Sequence, residues 1–144
     1  MSESGDSSGA EGITPGGFSL RSSIPVLRML DENQSKRFYL EYLGFEVDWE
    51  HRFSEDLSSP LYMQIRQGDS ILHLNGHAES DAPTTEVRIP VEGLERFCEH
   101  LCQITVGEEK PEVVDPRYEG RRTDMNLYDP SGNLIVFWAT KLDD

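Results

Sequence analysis

The segment Thr123–Ala139, TDMNLYDPSGNLIVFWA, decides the fold. Asp129 supplies an acceptor side chain at the first position of a turn, Pro130 a fixed φ at the second, and Gly132 tolerates positive φ at the fourth. That is the chemistry of a type I turn closed by a glycine bulge, and it makes the segment a hairpin. With Asp129 opposite Asn133, the pairs are Tyr128 with Leu134, Leu127 with Ile135, Asn126 with Val136, Met125 with Phe137 and Asp124 with Trp138. Period-two alternation then sends Met125, Leu127, Ile135 and Phe137 to an apolar face. Asp124, Asn126, Tyr128, Val136 and Trp138 go to a face of polar groups and rings. A sheltered sheet face of that mixture suits a small molecule.

The same split recurs upstream. Leu61–Gln67 and Ser70–His77 read as two strands joined at Gly68-Asp69. Pairing Gln67 with Ser70 sets Ile65 against Leu72 and Met63 against Leu74 on the apolar face, and Arg66 against Ile71, Gln64 against His73 and Tyr62 against Asn75 on the other. Phe45–Phe53 alternates as a half-buried strand, with Val47, Trp49 and His51 on one side; alternation alone does not fix which side looks inward.

Two helices complete the pattern. Asp31 opens the first as an N-cap, with Gln34 three positions on. Ser35, Phe38, Tyr39, Tyr42 and Leu43 share one face, and Gly44 suits a left-handed stop. Glu92–Gln103 is the second, with Leu94, Phe97, Cys98, Leu101 and Cys102 at the same spacings. The strands Ser23–Leu30 and Thr85–Val91 precede these helices, with Pro25 marking an edge or a strand start. The two openings lie about 60 residues apart, which reads as a duplicated supersecondary unit. Pro111–Glu119 reads as an irregular strand broken at Asp115-Pro116, and basic Gly120-Arg121-Arg122 leads to the final hairpin.

The expected organisation is a flexible tail over residues 1–22, rich in Ser, Gly and Glu, followed by a single domain over 23–144 with modules of about 23–77 and 85–140. Phe18 and Leu20 are the tail residues able to dock on a neighbouring surface. Cys98 and Cys102 lie one turn apart on a helix, where they serve as small buried hydrophobes and do not meet disulfide geometry.

The chain has 144 residues and a formal charge of −14. That charge repels nucleic-acid backbones and anionic membranes and attracts cations, although acidity also simply maintains solubility. No apolar run approaches a membrane span, and the N-terminal residues carry no basic start or apolar segment, so the expected location is cytoplasmic. There is no nucleophile triad pattern and no phosphate-binding glycine loop.

The order strand, helix, three strands, twice over, resembles the glyoxalase/bleomycin resistance/dioxygenase superfamily, also called vicinal oxygen chelate proteins. The resemblance covers about Ser23–Thr140. It rests on Ser35-Lys36-Arg37-Phe38-Tyr39 through Leu43-Gly44-Phe45 and on Asp129-Pro130-Ser131-Gly132-Asn133. It implies an α+β fold: two βαβββ modules forming a curled, concave mixed sheet with helices on the outer face. Metal-dependent members place four ligands on the concave face, and their positions carry over to Ile24, His73, Glu86 and Val136. Two of these cannot bind a metal, which points to the metal-free bleomycin-resistance branch and to no cofactor.

The expected function is therefore a metal-free small-molecule binding protein of bleomycin-resistance type, a homodimer that sequesters a cationic or aromatic ligand such as a bleomycin-type antibiotic. Tyr62, Tyr128 and Trp138 would stack on the ligand. Glu86 and Asp124 would meet cationic groups, and Gln64, His73, Asn75 and Asn126 would hydrogen-bond it. Arg88 shares the parity of Glu86 and either pairs with Glu86 or Asp124 or favours an anionic ligand. The competing reading is a metal-dependent glyoxalase-like lyase, isomerase or dioxygenase using His73 and Glu86. A third is an interaction module whose groove accepts a peptide or partner strand.

Overall fold

The computed structural model describes residues 14–106, 109–115 and 122–140. Two sheets carry the chain. β1 (Val26–Arg28), β4 (Ser70–Asn75), β3 (Leu61–Gln67) and β2 (Glu46–Arg52) form the first, in that order across the sheet. β5 (Glu86–Pro90), β7 (Leu134–Thr140) and β6 (Arg122–Tyr128) form the second. In both, the opening strand runs parallel to the last strand of its module and the remaining pairs are antiparallel. The architecture is α+β, with the two modules repeating one strand order and the sheet not closed.

Both hairpin registers follow the turn chemistry. Tyr128 faces Leu134 and Asp124 faces Trp138, while Gln67 faces Ser70 and Tyr62 faces Asn75. Asp129 N–H donates to the Asn133 carbonyl at 2.9 Å, Gly132 N–H to the Asp129 carbonyl at 3.0 Å, and Gly132 sits at φ 87°. A side chain at that φ would be strained, so glycine closes the turn.

Asp31 caps α1 (Glu32–Lys36), its carboxylate accepting from Gln34 N–H at 2.8 Å. The helix then widens over Arg37–Tyr42, where Leu43 N–H reaches back five residues to the Phe38 carbonyl. Gly44, at φ 85°, ends it. α2 (Leu94–Ile104) buries Leu94, Cys98 and Leu101. Tyr39, Leu43, Leu94 and Leu101 join Met63, Ile65, Met125 and Ile135 in one core between helices and sheets, each large apolar side chain contributing roughly 1.5–3 kcal/mol by leaving water.

Three expectations need refinement. β2 is an exposed edge strand, and a bulge between Val47 and Trp49 breaks its alternation. One extra residue, Asp48, leaves Val47 opposite core-facing Ile65 but puts Trp49 opposite Gln64 on the polar face. β1 covers only Val26–Arg28, with Ile24 outside it. Of the strand expected over Pro111–Glu119, residues 116–119 lie outside the described residues; the rest is a single bridge between Val114 and Asp124. The tail's first 13 positions also lie outside the described residues; Phe18 and Leu20 are 63 % and 93 % exposed.

The modules meet through the hairpin turn. Asn133 donates its amide to the Arg28 carbonyl and accepts from Thr85 N–H, both at 2.9 Å. Ser131 Oγ accepts from Leu30 N–H at 2.9 Å, and the Thr85 hydroxyl donates to the Val26 carbonyl at 3.1 Å. Backbone groups at the seam thereby find partners without a continuous strand ladder.

Candidate functional site

On the first sheet the polar face is one connected network. Register sets Tyr62 beside Asn75 and His51, and Gln64 beside His73 and Trp49. Arg66 Nε donates to Asp48 at 3.1 Å, and Gln64 Nε2 donates to the same carboxylate at 2.8 Å. With its amide nitrogen so engaged, Gln64 presents its oxygen to His73 Nε2 at 2.8 Å. In the neutral ring Nε2 therefore carries the proton, and Nδ1 accepts from the Tyr62 hydroxyl at 2.9 Å. Both ring nitrogens of His73 are committed.

Rings cover this network. Trp49 stacks on Tyr62 with centroids 6.1 Å apart and planes 10° from parallel. Trp49 and Tyr62 both meet His73 edge-on, at 5.4 and 5.2 Å. His51, Phe53 and His77 continue the surface, with neighbouring centroids 4.8 Å apart. Trp49 is 42 % exposed, so part of the stack is open to a ligand. Sequence alternation could not place Trp49 because the bulge at Asp48 resets the parity.

On the second sheet, register brings Glu86, Arg88, Asp124, Asn126, Tyr128 and Trp138 to one face, around buried Val136. The pairings among them are specific. Arg88 joins Glu86 at 3.2 Å, both about half exposed. Asp124, 6 % exposed, takes Arg122 Nε at 2.9 Å and Arg122 Nη2 at 3.3 Å, and its backbone is bridged to Val114. Tyr128, at 69 % exposed, presents an open ring. Arg122, the partner of Asp124, had no role in the sequence reading; its parity with Asp124 two residues on was the available signal.

The residues do not fit the metal set that the sequence resemblance carries over. Ile24 lies outside β1, the β1 residue beside His73 is Val26, and neither Ile24, Val26 nor Val136 offers a donor. His73 spends both nitrogens on Tyr62 and Gln64, Glu86 is ion-paired to Arg88, and Asn75 Oδ1 accepts from His77 N–H. Among the described residues no three His, Cys, Asp or Glu side chains converge. A divalent site here would have to dismantle bonds already made.

A family model described as glyoxalase superfamily protein matches residues 8–143. The chain belongs to the glyoxalase superfamily. No curated protein matches it. Among solved structures, the bleomycin-binding protein from Streptomyces verticillus, complexed with copper(II)-bleomycin, is 22 % identical with a TM-score of 0.61, covering 83 % of this chain and 96 % of that one. An antibiotic-binding protein from a Streptomyces species is 18 % identical with a TM-score of 0.57, covering 86 % and 100 %. A glyoxalase family protein from Bacillus anthracis is 19 % identical with a TM-score of 0.61, covering 86 % and 99 %. At these identities the likeness is one of fold. Among the described residues no helix of this superfamily member is long and apolar enough to cross a membrane.

Proposed function

We propose that this glyoxalase-superfamily protein binds and sequesters a small molecule with a flat aromatic part and a cationic part, without a protein-bound metal. The observation that carries the reading is the commitment of both His73 nitrogens inside the Tyr62–His73–Gln64–Asp48–Arg66 chain. A face so wired offers fixed hydrogen-bonding atoms beneath stacked rings, which is how a binding pocket gains orientation without chemistry. Trp49, Tyr62, Tyr128 and Trp138 stack on the ligand, Asn75 and Asn126 align its polar atoms, and Gln64 and His73 hold the Tyr62 ring in place beneath it. Glu86 and Asp124 are matched locally by Arg88 and Arg122, so the preference for a cation rests on the chain's overall charge of −14. The fold shared with bleomycin-binding and other antibiotic-binding proteins makes a bleomycin-type antibiotic the first ligand to try. The protein works in the cytoplasm as a homodimer whose second copy completes the groove, with no nucleic acid or membrane as partner.

Both tryptophans of the chain lie on the polar faces, so intrinsic fluorescence reports on the site directly. Titration with metal-free bleomycin is expected to quench it and to raise the melting temperature by mass action, with the effect reduced in Tyr62→Ala. Stoichiometric retention of Zn, Ni, Mn or Fe by untagged protein, lost in His73→Ala, would overturn the proposal. Sedimentation giving only monomer at micromolar concentration would remove the dimer from it.

A further inference from the structure

The two ends of the module seam are related by the repeat, and among the described residues only one is filled. At the filled end, the β6–β7 turn runs against the residues following β1 and against Tyr39 on the first helix. The counterparts in the other module are the β3–β4 turn and the residues following β5; with Phe97 on α2, the repeat position of Phe38, they line a cleft of about 750 Å³. The reason is length. Five residues separate Tyr128 from Leu134, whereas two separate Gln67 from Ser70, so the shorter turn stops short of its slot.

We propose that this cleft is a second binding site, distinct from the ring-covered polar face, for a small organic cation with an apolar aromatic body. Its volume falls in the range of small-molecule sites, roughly 300–1,000 Å³, and such sites favour junctions between packed units. Phe45, Phe97 and Phe137 line it, the last two in edge-to-face contact at 5.2 Å. Asp69 and Glu92 lie in the same lining, both exposed and with no hydrogen-bond or ion-pair partner among the described residues. Arg88, the cation of that lining, is already joined to Glu86. Half-buried Phe97 beside the core rings of Phe45 and Phe137, with two unpaired carboxylates in the same lining, matches an aryl amine and opposes an aryl carboxylate.

Calorimetric titration of the full chain with naphthylmethylamine, and with naphthoate as its anionic counterpart, tests the assignment. With the polar face disabled by Trp49→Ala, the amine is expected to saturate at one per chain, naphthoate to give no saturable heat, and Asp69→Asn with Glu92→Gln to weaken the amine at least about tenfold, the loss of one or more charge-assisted hydrogen bonds. Both substitutions are on exposed side chains, so melting temperature and circular dichroism should not change. Ile89→Trp, which fills the cleft, should abolish the heat. The same affinity in Trp49→Ala places the amine in the cleft and not on the stack; loss there overturns the site while leaving the polar-face reading intact. Absence of saturable binding, equal binding of naphthoate, or retention by the double variant also overturns it. So does a change of sedimentation, with no change of amine binding, in Ile89→Trp, which would assign the cleft to a second copy.

Discussion

Tyr39 and Asp129, 90 residues apart in the chain, meet in the interior: the hydroxyl donates to the carboxylate Oδ2 at 2.6 Å. Tyr39 is fully buried, and Asp129 also accepts from Ser131 N–H, Asn133 N–H and the Asn133 amide, each at 2.8 Å. One carboxylate thus closes its own turn and ties that turn to the helix of the other module. Tyr39→Phe removes one bond to a charged acceptor and should cost about 1.5–3 kcal/mol in urea unfolding. Asp129→Ala strands three further donors and should cost more than Tyr39→Phe does. Equal costs would mean that the turn does not depend on the carboxylate.

Alkaline pH should destabilise the fold. Burial first, then the charge of Asp129 and the hydrogen bond to it, raise the Tyr39 pKa far above its usual 10.0. Burial first, then the neighbouring Cys102, raises the Cys98 thiol to about 11 from 9.0. In both, the unfolded chain ionises before the folded one, so the unfolded state binds fewer protons and stability falls as pH rises. The decline should begin near pH 9 with Cys98 and steepen above pH 10 with Tyr39. In Cys98→Ala the first part should disappear, and in Tyr39→Phe the second, as read from melting temperature across that range.

Acid works through a different group. Burial of Glu32 opposes its charge, but the hydrogen bond and charge of Arg52 and the charge of Lys36 outweigh it, and the pKa falls below 4.5. Arg52 Nη2 lies 2.6 Å from the carboxylate and holds α1 to β2. A lowered carboxyl pKa contributes stability above the unfolded value and loses it as pH falls. Wild type should therefore lose more stability than Arg52→Ala between about pH 5 and pH 3; parallel curves would show the pair to be idle.

Much of this was legible in the chain. The registers of both hairpins follow from Asp129-Pro130-Ser131-Gly132 and Gly68-Asp69, because turn length fixes pairing and pairing fixes faces. What local pattern could not reveal depends on insertions and on distant contacts. The bulge at Asp48 reverses the parity that would have placed Trp49, and it is stabilised by Gln64 and Arg66 on another strand. The metal position on β1 slips from Ile24 to Val26 because only pairing with β4 defines the register. Asp124 reads as a contact for a ligand cation or for Arg88, until Arg122 is seen on it and Arg88 on Glu86.

Gly76 is another such case, since the sequence reading places it inside the strand Ser70–His77, whereas the strand ends at Asn75. Its N–H donates to the Leu61 carbonyl at 2.8 Å, and a Cβ there would lie 2.5 Å from that same oxygen. The obstacle is backbone, so it cannot swing aside. Gly76→Ala should lower stability by about 2 kcal/mol or more by prising the linker from β3. A change within about 0.5 kcal/mol, the usual range for an inert surface substitution, would show that the linker gives way freely.

The tautomer of His73 is the last quantity the network predicts. Gln64 has one amide oxygen to offer, because its nitrogen is held by Asp48; the ring must therefore donate from Nε2 and accept at Nδ1. Nitrogen NMR of labelled protein near pH 8, where an ordinary imidazole is neutral, should give a protonated Nε2 and an unprotonated Nδ1. Tyr62→Phe removes the donor to Nδ1 but leaves Gln64 in place, so the tautomer should persist while the Nδ1 signal moves toward that of an unbonded nitrogen. Gln64→Leu removes the selecting group, and the two tautomers should then mix. The opposite tautomer in wild type would place the Gln64 oxygen against the Asp48 carboxylate and reverse the order of donors and acceptors along the network.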